Sequence, residues 1–215
     1  MIPSPELPFV LDGVRIEPRR PPLLPEIELL LMTDQYPDQA LAGPDYHRLM
    51  AQPPYWAFCW GGGQALARWI LDRPEQVAGR HVIDFGSGSG VAGIAAALAG
   101  ASAVVAVDID PDALRMSARN ARANGMAVDT AISCNACHDS LLLAADICYE
   151  EAGYAAVLAH IAAGGAAIIA ESRLRDLHLR HPHLQPVAQF QVRTFPDLEE
   201  SENFDLVRIF STITV

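Results

Sequence analysis

A glycine-rich turn between two short apolar segments constrains the fold of this chain more than any other feature. Residues 81–85 predict a buried strand and residues 91–98 predict a helix, with Gly86, Gly88 and Gly90 alternating with serines between them. Glycine allows a tight turn and a close approach of the backbone to a ligand, toward which the N-terminus of the helix points. The turn therefore predicts an α/β fold that binds a ligand at this position.

The chain from Trp56 onward alternates between predicted strands and helices. Further strands are predicted at residues 103–107, 128–133, 141–145, 166–170, 187–192 and 206–213, and helices at 64–72, 111–124 (capped by Asp110) and 154–163. Strands that alternate with helices imply a mostly parallel sheet with helices on both faces. The last two strands are expected to close the sheet as an antiparallel pair.

Residues 1–52 differ from the rest of the chain. Prolines recur from Pro3 to Pro44, which prevents a long helix as far as about Pro25. We expect an N-terminal arm over 1–52 that packs on the main domain, 53–215.

The charge of the chain limits its partners. Twenty-six acidic residues face fifteen basic ones, all of them arginine, for a net charge of −11. Binding to a nucleic-acid backbone needs an excess of basic residues, so nucleic acid is not expected as a partner, whereas a basic substrate would be attracted. The sequence shows neither a membrane-length apolar run nor a signal peptide, which favours a cytoplasmic protein without a membrane partner.

Two acids near the turn narrow the type of ligand. Asp84 precedes the first glycine by two residues, where it can accept a hydrogen bond from a cationic amino group, a group that dinucleotides lack. Asp108 follows the next strand, where a carboxylate would bind ribose hydroxyls. The spacing Gly88-x-Gly90-x-x-Gly93 also satisfies the dinucleotide fingerprint. An oxidoreductase is therefore an alternative, but no catalytic His/Lys set follows the turn.

The segments DFGSGSG, VVAVDIDPDAL and SARNARAN resemble the cofactor half of class I S-adenosylmethionine-dependent methyltransferases. Three more blocks, PPYWAFCWGGGQALARWILDRP, AADICYEE and VRTFPDLEESENFDLVRIF, resemble the lysine methyltransferases of electron transfer flavoprotein β subunit. The resemblance runs from about Pro53 to the C-terminus. It implies a seven-stranded Rossmann-like methyltransferase sheet, mostly parallel with an antiparallel C-terminal strand. It also implies that S-adenosyl-L-methionine is the cofactor.

The same resemblance implies roles for individual residues in the cofactor site. Gly86, Gly88 and Gly90 would line the methionine and ribose part of S-adenosylmethionine. Asp84 would meet its amino group and Asp108 its ribose diol. The upstream block would add Trp60 and Gly62 to the cofactor contacts.

An acidic–aromatic motif after the fourth strand is implied to lie next to the acceptor. Its residues are Asp146, Tyr149 and Glu150. A lysine amine is protonated at neutral pH, so Asp146 could orient it and help remove the proton. Alternatively, Asp146 only accepts backbone hydrogen bonds at a strand end. Tyr149 could contact the amine, or be a half-buried aromatic residue at the sheet edge.

The expected activity is N-methylation of lysine side chains in a protein, with electron transfer flavoprotein β subunit as a candidate substrate. Two departures from the family pattern keep other functions open. The loop 134–140, which would supply an adenine contact, is short, and residues 171–173 read Glu-Ser-Arg. The alternatives are a small-molecule N-methyltransferase acting on a nicotinamide-like amine and an inactive cofactor-binding partner protein. No metal is expected, because His178, His181 and His183 lack an acidic or cysteine ligand beside them.

Overall fold

A seven-stranded sheet organises the part of the chain that the computed structural model describes, residues 15–33, 51–134 and 139–213. In chain order the strands are β1 (Ile16–Arg19), β2 (Leu29–Met32), β3 (His81–Phe85), β4 (Ala103–Val107), β5 (Asp129–Ala131), β6 (Leu141–Ala145), β7 (Ala167–Glu171), β8 (Gln185–Gln191) and β9 (Leu206–Ser211). The α-helices are α1 (Gly61–Asp72), α2 (Val91–Leu98), α3 (Pro111–Ala123), α4 (Glu151–Ala162) and the short α5 (Leu177–Arg180).

The strand order across the large sheet is β5-β4-β3-β6-β7-β9-β8. Strand β9 runs antiparallel to both of its neighbours, and the other pairs are parallel. The expected mostly parallel, seven-stranded sheet with an antiparallel C-terminal strand is confirmed. The order reverses between β3 and β6, and in open α/β sheets ligands bind at the carboxyl ends of the strands beside such a point.

Strand β6 shows why helices cover both faces of the sheet. Side chains alternate between the two faces along a strand. Leu141 and Leu143 belong to the core cluster that contains Trp69 of α1, whereas Leu142 packs in a second cluster with Val157 of α4. The first four residues of this apolar run are therefore buried and Ala145 is partly buried, as the sequence predicts for a central strand.

Two helices begin three residues earlier than their apolar spacing predicts. Helix α1 begins at Gly61 rather than at residue 64, and α4 begins at Glu151 rather than at residue 154. Gly153 lies so close to the preceding loop that an added Cβ would be 2.6 Å from the carbonyl oxygen of Ile147. Glycine lowers helix propensity, but this packing against a neighbouring segment needs it. Tertiary contact therefore extends α4 beyond the point that local preference indicates.

The edge strand β5 is shorter than predicted, because only its residues Asp129–Ala131 pair with β4.

Residues 15–33 form an antiparallel hairpin that packs on the main domain. Leu24, Ile27 and Leu29 are fully buried in its core. The side chain of Asn124 on α3 accepts a hydrogen bond from the backbone N–H of Glu28 at 2.9 Å and donates one to its carbonyl at 2.7 Å. The rest of the predicted arm, residues 1–14 and 34–50, lies outside the described residues, so its boundary at residue 52 stays a prediction.

Within the described ranges, every helix is too short or too polar to cross a bilayer.

Candidate active site

The glycine turn joins the carboxyl end of β3 to α2 through three left-handed residues. The φ angles are 69° at Gly86, 50° at Gly88 and 80° at Gly90. Residues with a Cβ atom rarely adopt such angles, which explains the alternating glycines in the sequence. An added Cβ at Gly88 would meet only the carbonyl oxygen of Gly86, at 4.0 Å. The turn is thus open on this side.

Asp108, directly after β4, supports this turn. Its Oδ2 accepts a hydrogen bond from the N–H of Gly88 at 2.9 Å, and its Oδ1 accepts one from the N–H of Asp110 at 3.0 Å. Partial burial raises the pKa of Asp108. A carboxylate has about four acceptor sites, so each oxygen can still accept a ligand hydroxyl. The geometry fits the predicted ribose contact, which stays a prediction.

Asp84 lies beneath the turn rather than on its surface. The side chain is buried, and its Oδ2 accepts a hydrogen bond from the N–H of Gly93 at 2.9 Å. Burial, with a smaller contribution from the negative charge of Asp108, raises the pKa of Asp84 to about 7. The structure therefore shows Asp84 holding α2 against β3, and its predicted contact with an amino group remains a prediction.

Two exposed isoleucines follow strands that end at the same edge of the sheet as the turn. Ile109 follows Asp108 and is 88% exposed, and Ile132 follows β5 and is 64% exposed. A polar acceptor beside exposed apolar side chains fits a nucleoside, whose ribose is polar and whose base is flat. Residues 135–138 of the loop predicted to contact adenine lie outside the described residues.

Asp146, directly after β6, connects three segments of the chain. Its Oδ2 accepts a hydrogen bond from the N–H of Gly62 at 2.6 Å, and its Oδ1 accepts one from the Oγ–H of Ser172 at 2.9 Å and one from the N–H of Ser172 at 3.3 Å. Its backbone is left-handed, with φ of 49°. Burial raises the pKa of Asp146, while these hydrogen bonds and Arg173 lower it. These contacts match the alternative in which Asp146 holds the backbone. Its catalytic role stays a prediction.

The upstream block meets this motif in space. An added Cβ at Gly62 would lie 2.5 Å from Oδ2 of Asp146, so any other residue there would displace the carboxylate. Trp60 precedes α1 and donates from Nε1 to the carbonyl of Tyr55 at 2.9 Å. Trp60 and Gly62 were predicted to contact the cofactor. The structure places both beside Asp146.

The other two residues of the acidic–aromatic motif are more exposed. Tyr149 is 45% exposed, and the guanidinium carbon of Arg173 lies 5.2 Å from the centre of its ring. Glu150 is exposed and immediately precedes α4, without a side-chain hydrogen bond to the helix. Tyr149 therefore contacts Arg173, which lines the same pocket as Asp146. The predicted catalytic role of Glu150 stays a prediction.

A pocket beside Asp146 contains residues that were not predicted as site residues. It is lined by Trp60, Gly61, Asp146, Ser172, Arg173, Val192, Arg193, Thr194, Asp197, Glu200, Phe204 and Asp205. Four of the lining side chains are carboxylates and two are guanidinium groups. The acid-rich segment 197–205 supplies Asp197, Glu200 and Asp205. Its density of carboxylates is the signal that could have marked it as part of a site.

Glu171, at the end of β7, positions the loop that follows Asp146. The side chain is fully buried, and its Oε1 accepts hydrogen bonds from the N–H groups of Ile147 at 3.1 Å and Cys148 at 2.7 Å. Its Oε2 has no hydrogen-bond partner among the described residues. Burial, followed by the negative charge of Asp146, raises the pKa of Glu171 to about 7.

Two of the three histidines near Pro182 contact different aromatic residues. The ring of His178 stacks on Phe210 with centroids 5.9 Å apart, and the Nε2 atom of His181 lies 2.5 Å from the Tyr154 hydroxyl. Within residues 15–33, 51–134 and 139–213, no group of three or more His, Cys, Asp or Glu side chains could hold a metal ion.

Comparison with known proteins relates this site to methyltransferases. Over 119 residues the chain is 44% identical to the electron transfer flavoprotein beta subunit lysine methyltransferase of Danio rerio. This match covers 55% of the chain and 45% of that protein. Over 92 residues it is 46% identical to the Homo sapiens protein of the same name, covering 41% of the chain and 33% of that protein. The chain thus spans less than half the length of these relatives.

A solved structure shows a related fold. The magnesium protoporphyrin IX methyltransferase of Synechocystis PCC 6803 with bound SAM superposes with a TM-score of 0.50 at 17% identity, over 82% of this chain and 86% of that one. At this identity the likeness concerns the fold alone.

The sequence profile of one family covers the glycine turn, Asp108 and the Asp146 motif together. It is described as ribosomal protein L11 methyltransferase (PrmA), and it matches residues 65–172, half of the chain. These are the residues that build the turn and its supports, from α1 to the Asp146 partner Ser172. The chain therefore belongs to the ribosomal protein L11 methyltransferase (PrmA) family.

Proposed function

We propose that this protein transfers methyl groups from S-adenosylmethionine to lysine side chains of a protein substrate. The family membership supports methyl transfer. The relatives that share 44% and 46% identity are named as lysine methyltransferases, which supports lysine as the acceptor.

The observation that carries the proposal is that two consecutive residues, Asp146 and Ile147, contact the acidic pocket and the glycine turn respectively. An added Cβ at Gly86 would be 2.9 Å from Cδ1 of Ile147, so the Ile147 side chain packs directly on the turn. The preceding residue, Asp146, lines the pocket. A ligand in the turn and an amine in the pocket would therefore be neighbours, and methyl transfer depends on alignment of donor and acceptor at near-attack distance.

The residues of the turn fit S-adenosylmethionine. The Gly88 backbone leaves open space, Asp108 retains acceptor capacity for hydroxyl groups, and Ile109 offers an apolar contact for a base. When bound, S-adenosylmethionine supplies an electrophilic methyl group on a sulfonium centre. Buried Asp84 adds negative potential beneath the turn once it is ionised, which favours the positively charged part of such a ligand.

The pocket fits a cationic acceptor. Its carboxylates attract a lysine ammonium, and the amine must lose a proton before it can attack a methyl group. The carboxylate of Asp146 can orient the ammonium and accept that proton at an oxygen. The pKa of Asp146 is raised by burial, which brings it closer to that of a useful base.

We propose electron transfer flavoprotein β subunit as the first substrate to test, because the relatives are named for it. The experiment incubates the protein with methyl-labelled S-adenosylmethionine and the electron transfer flavoprotein of the same organism. Mass spectrometry then locates the label. We expect methylated lysine on the β subunit, with a several-fold lower yield when Asp108→Ala replaces the wild type at a cofactor concentration near the wild-type Kd.

Calorimetry with S-adenosylhomocysteine separates the cofactor from the acceptor. Asp108→Ala should weaken its binding by about 1.5–3 kcal/mol, the range for hydrogen bonds to a charged group. Label on small amines only would favour the small-molecule alternative. Binding without transfer to any acceptor would favour an inactive partner protein. Tight binding of NAD with none of S-adenosylhomocysteine would overturn the cofactor assignment. The cytoplasmic location and the lack of nucleic-acid and membrane partners stay predictions.

A further inference from the structure

The guanidinium group of Arg173 lies between two aromatic rings in the acidic pocket. Its Cζ is 4.2 Å from the ring centre of Phe204 and 5.2 Å from that of Tyr149. Its Nη2 lies 3.0 Å from Oε1 of Glu200. Two ring faces and a carboxylate thus surround one positive charge, an arrangement that binds organic cations.

The walls of this cation site come from separate parts of the fold. Tyr149 lies in the loop after β6, and Phe204 closes a short 3₁₀ helix before β9. Glu200 has a second contact, because its Oε2 accepts a hydrogen bond from the Oγ–H of Thr194 at 2.7 Å. Glu200 is therefore held in place even when Arg173 leaves.

The site is open to a ligand from outside. The side chain of Arg173 is 30% exposed and Tyr149 is 45% exposed. Arg173 also lies directly after Ser172, which donates to Asp146. A cation that replaced the guanidinium would enter the same pocket that Asp146 lines.

The second arginine of the pocket differs from Arg173. The side chain of Arg193 is 49% exposed, with Nε 3.0 Å from Asp205 and Nη1 3.2 Å from Asp197. Its partners are carboxylates alone. Arg173 is the arginine in this pocket for which the structure shows a pair of aromatic faces.

We propose that Tyr149, Phe204 and Glu200 form the binding site for the acceptor's cationic side chain, and that Arg173 fills this site until the acceptor displaces it. The assignment of the acceptor rests on the proposed function. At this site an alkylammonium and the Arg173 guanidinium compete for the same contacts. Removal of the guanidinium should therefore strengthen binding of a lysine side chain, although the variant loses an ion pair.

The test is an NMR titration of the full chain with Nα-acetyl-lysine N-methylamide, without cofactor. We expect Arg173→Ala to bind this probe about tenfold more tightly than wild type, in line with the contribution of a partly desolvated cation–π contact. Arg173→Lys should stay near wild type because it keeps a competing charge. In Arg173→Ala, the further change Phe204→Ala should remove the gain.

The matched control is Arg175→Ala, two residues along the chain. The Arg175 side chain does not line the pocket, so the Arg175→Ala protein should bind the probe with the same affinity as wild type. If Arg173→Ala is unstable, Arg173→Met keeps the aliphatic volume and should show the same gain.

A measurement on the wild type needs no variant. Saturating probe should move the Nε–Hε signal of Arg173 toward that of a free arginine. An unchanged signal, or folded Arg173→Ala and Arg173→Met proteins that bind the probe no better than wild type, would overturn the proposal. The titration contains no cofactor, so its result does not depend on cofactor binding. Failure of S-adenosylhomocysteine to bind would contradict the proposed function and would not change the result of the titration.

Discussion

At the scale of single residues, Asp146 shows how one carboxylate can serve structure and chemistry together. It accepts hydrogen bonds from Gly62 and from two donors of Ser172, and it lines the pocket proposed for the acceptor. These contacts fix the orientation of the carboxylate, which a base that acts on a bound amine needs. A substitution at this position should therefore change stability and rate, and the two effects can be measured separately.

We expect Asp146→Asn to lower the free energy of unfolding by about 1–3 kcal/mol. Both oxygens of Asp146 accept hydrogen bonds, and the NH2 group of asparagine would replace one of them and face a donor that it cannot accept from. The chemical step should fall by roughly 10²–10⁴, since the amide cannot accept a proton. Single-turnover rates at saturating acceptor measure that step, and urea unfolding measures stability. S-adenosylhomocysteine affinity should stay near wild type.

Ser172→Ala is the matched control for the structural role of Asp146. It removes the hydroxyl that donates to Oδ1 at 2.9 Å and keeps the carboxylate. We expect a stability loss of about 1 kcal/mol with little change in the chemical step. A folded Asp146→Asn protein within about threefold of the wild-type rate, a shift of about 0.6 kcal/mol, would contradict the catalytic role.

At the scale of elements, the start of α1 and the end of β7 determine where the motif after β6 lies. Helix α1 approaches Asp146 through Gly62, and β7 approaches the following loop through Glu171. Neither contact depends on the local preference of its own element. Both can be tested by changes that leave the helix or strand intact.

We expect Gly62→Ala to destabilise the protein, although alanine favours a helix over glycine by about 1 kcal/mol. The added Cβ would lie 2.5 Å from Oδ2 of Asp146. It would push the carboxylate away and break the hydrogen bond that Oδ2 accepts from the N–H of residue 62. Thermal unfolding should show a lower Tm. The comparison is Gly63→Ala, whose Cβ would meet only a terminal methyl of Val91, at 3.0 Å. An equal or smaller Tm loss in Gly62→Ala would contradict this account.

The buried carboxyl of Glu171 predicts a pH dependence of stability. Its pKa is about 7 in the folded protein against an ordinary value of 4.5, so the folded state binds the proton more tightly. The stabilisation by this proton is complete below about pH 4.5 and is lost as pH rises through 7. The free energy of unfolding should therefore fall over this range, by an amount on the order of 3 kcal/mol at most.

Glu171→Gln isolates this contribution. Its amide oxygen can still accept from the N–H groups of Ile147 and Cys148, and its charge no longer changes. Urea unfolding at pH 5 and pH 8 should show a smaller loss for the variant than for wild type. Asp84, whose pKa is also about 7, contributes in the same direction to both proteins. Identical losses in the two proteins would show that Glu171 is not the group that titrates.

At the scale of the whole molecule, the charge distribution favours a basic partner. The net charge is −11, and Asp197, Glu200 and Asp205 of segment 197–205 line the pocket. A field of one sign speeds the encounter with an oppositely charged partner, and salt screens exposed charges beyond about 8 Å at physiological ionic strength. The field acts on the approach of a substrate rather than on the chemical step.

We expect kcat/KM for an intact lysine-bearing protein to fall as salt rises from low to physiological concentration. The control acceptor is Nα-acetyl-lysine N-methylamide, whose single charge should give a weaker salt dependence. Initial rates with labelled S-adenosylmethionine at several salt concentrations measure both. A rate on the intact protein that does not change with salt would remove electrostatic steering from the account.

Local pattern determined the central elements of this protein. The strands over residues 81–85, 103–107 and 141–145 and the helix over 91–98 lie where the sequence predicts them, because a short buried apolar run bounded by turns has few alternatives. The glycine turn and Asp108 were also evident from sequence, since each depends on neighbours in one strand–turn–helix unit.

Tertiary structure alone decided which segments meet Asp146 and Arg173 at the proposed acceptor pocket. Gly62 meets Asp146 across 84 residues, and Arg173 meets Glu200 across 27. No periodicity or propensity carries such pairings, because they arise where separate elements end at one edge of the sheet. Glycines that lower helix preference in the sequence become the places where α1 and α4 approach that edge. The physical reason is that local preference acts over a few residues, whereas the pocket forms from contacts between segments that only the packed sheet brings together.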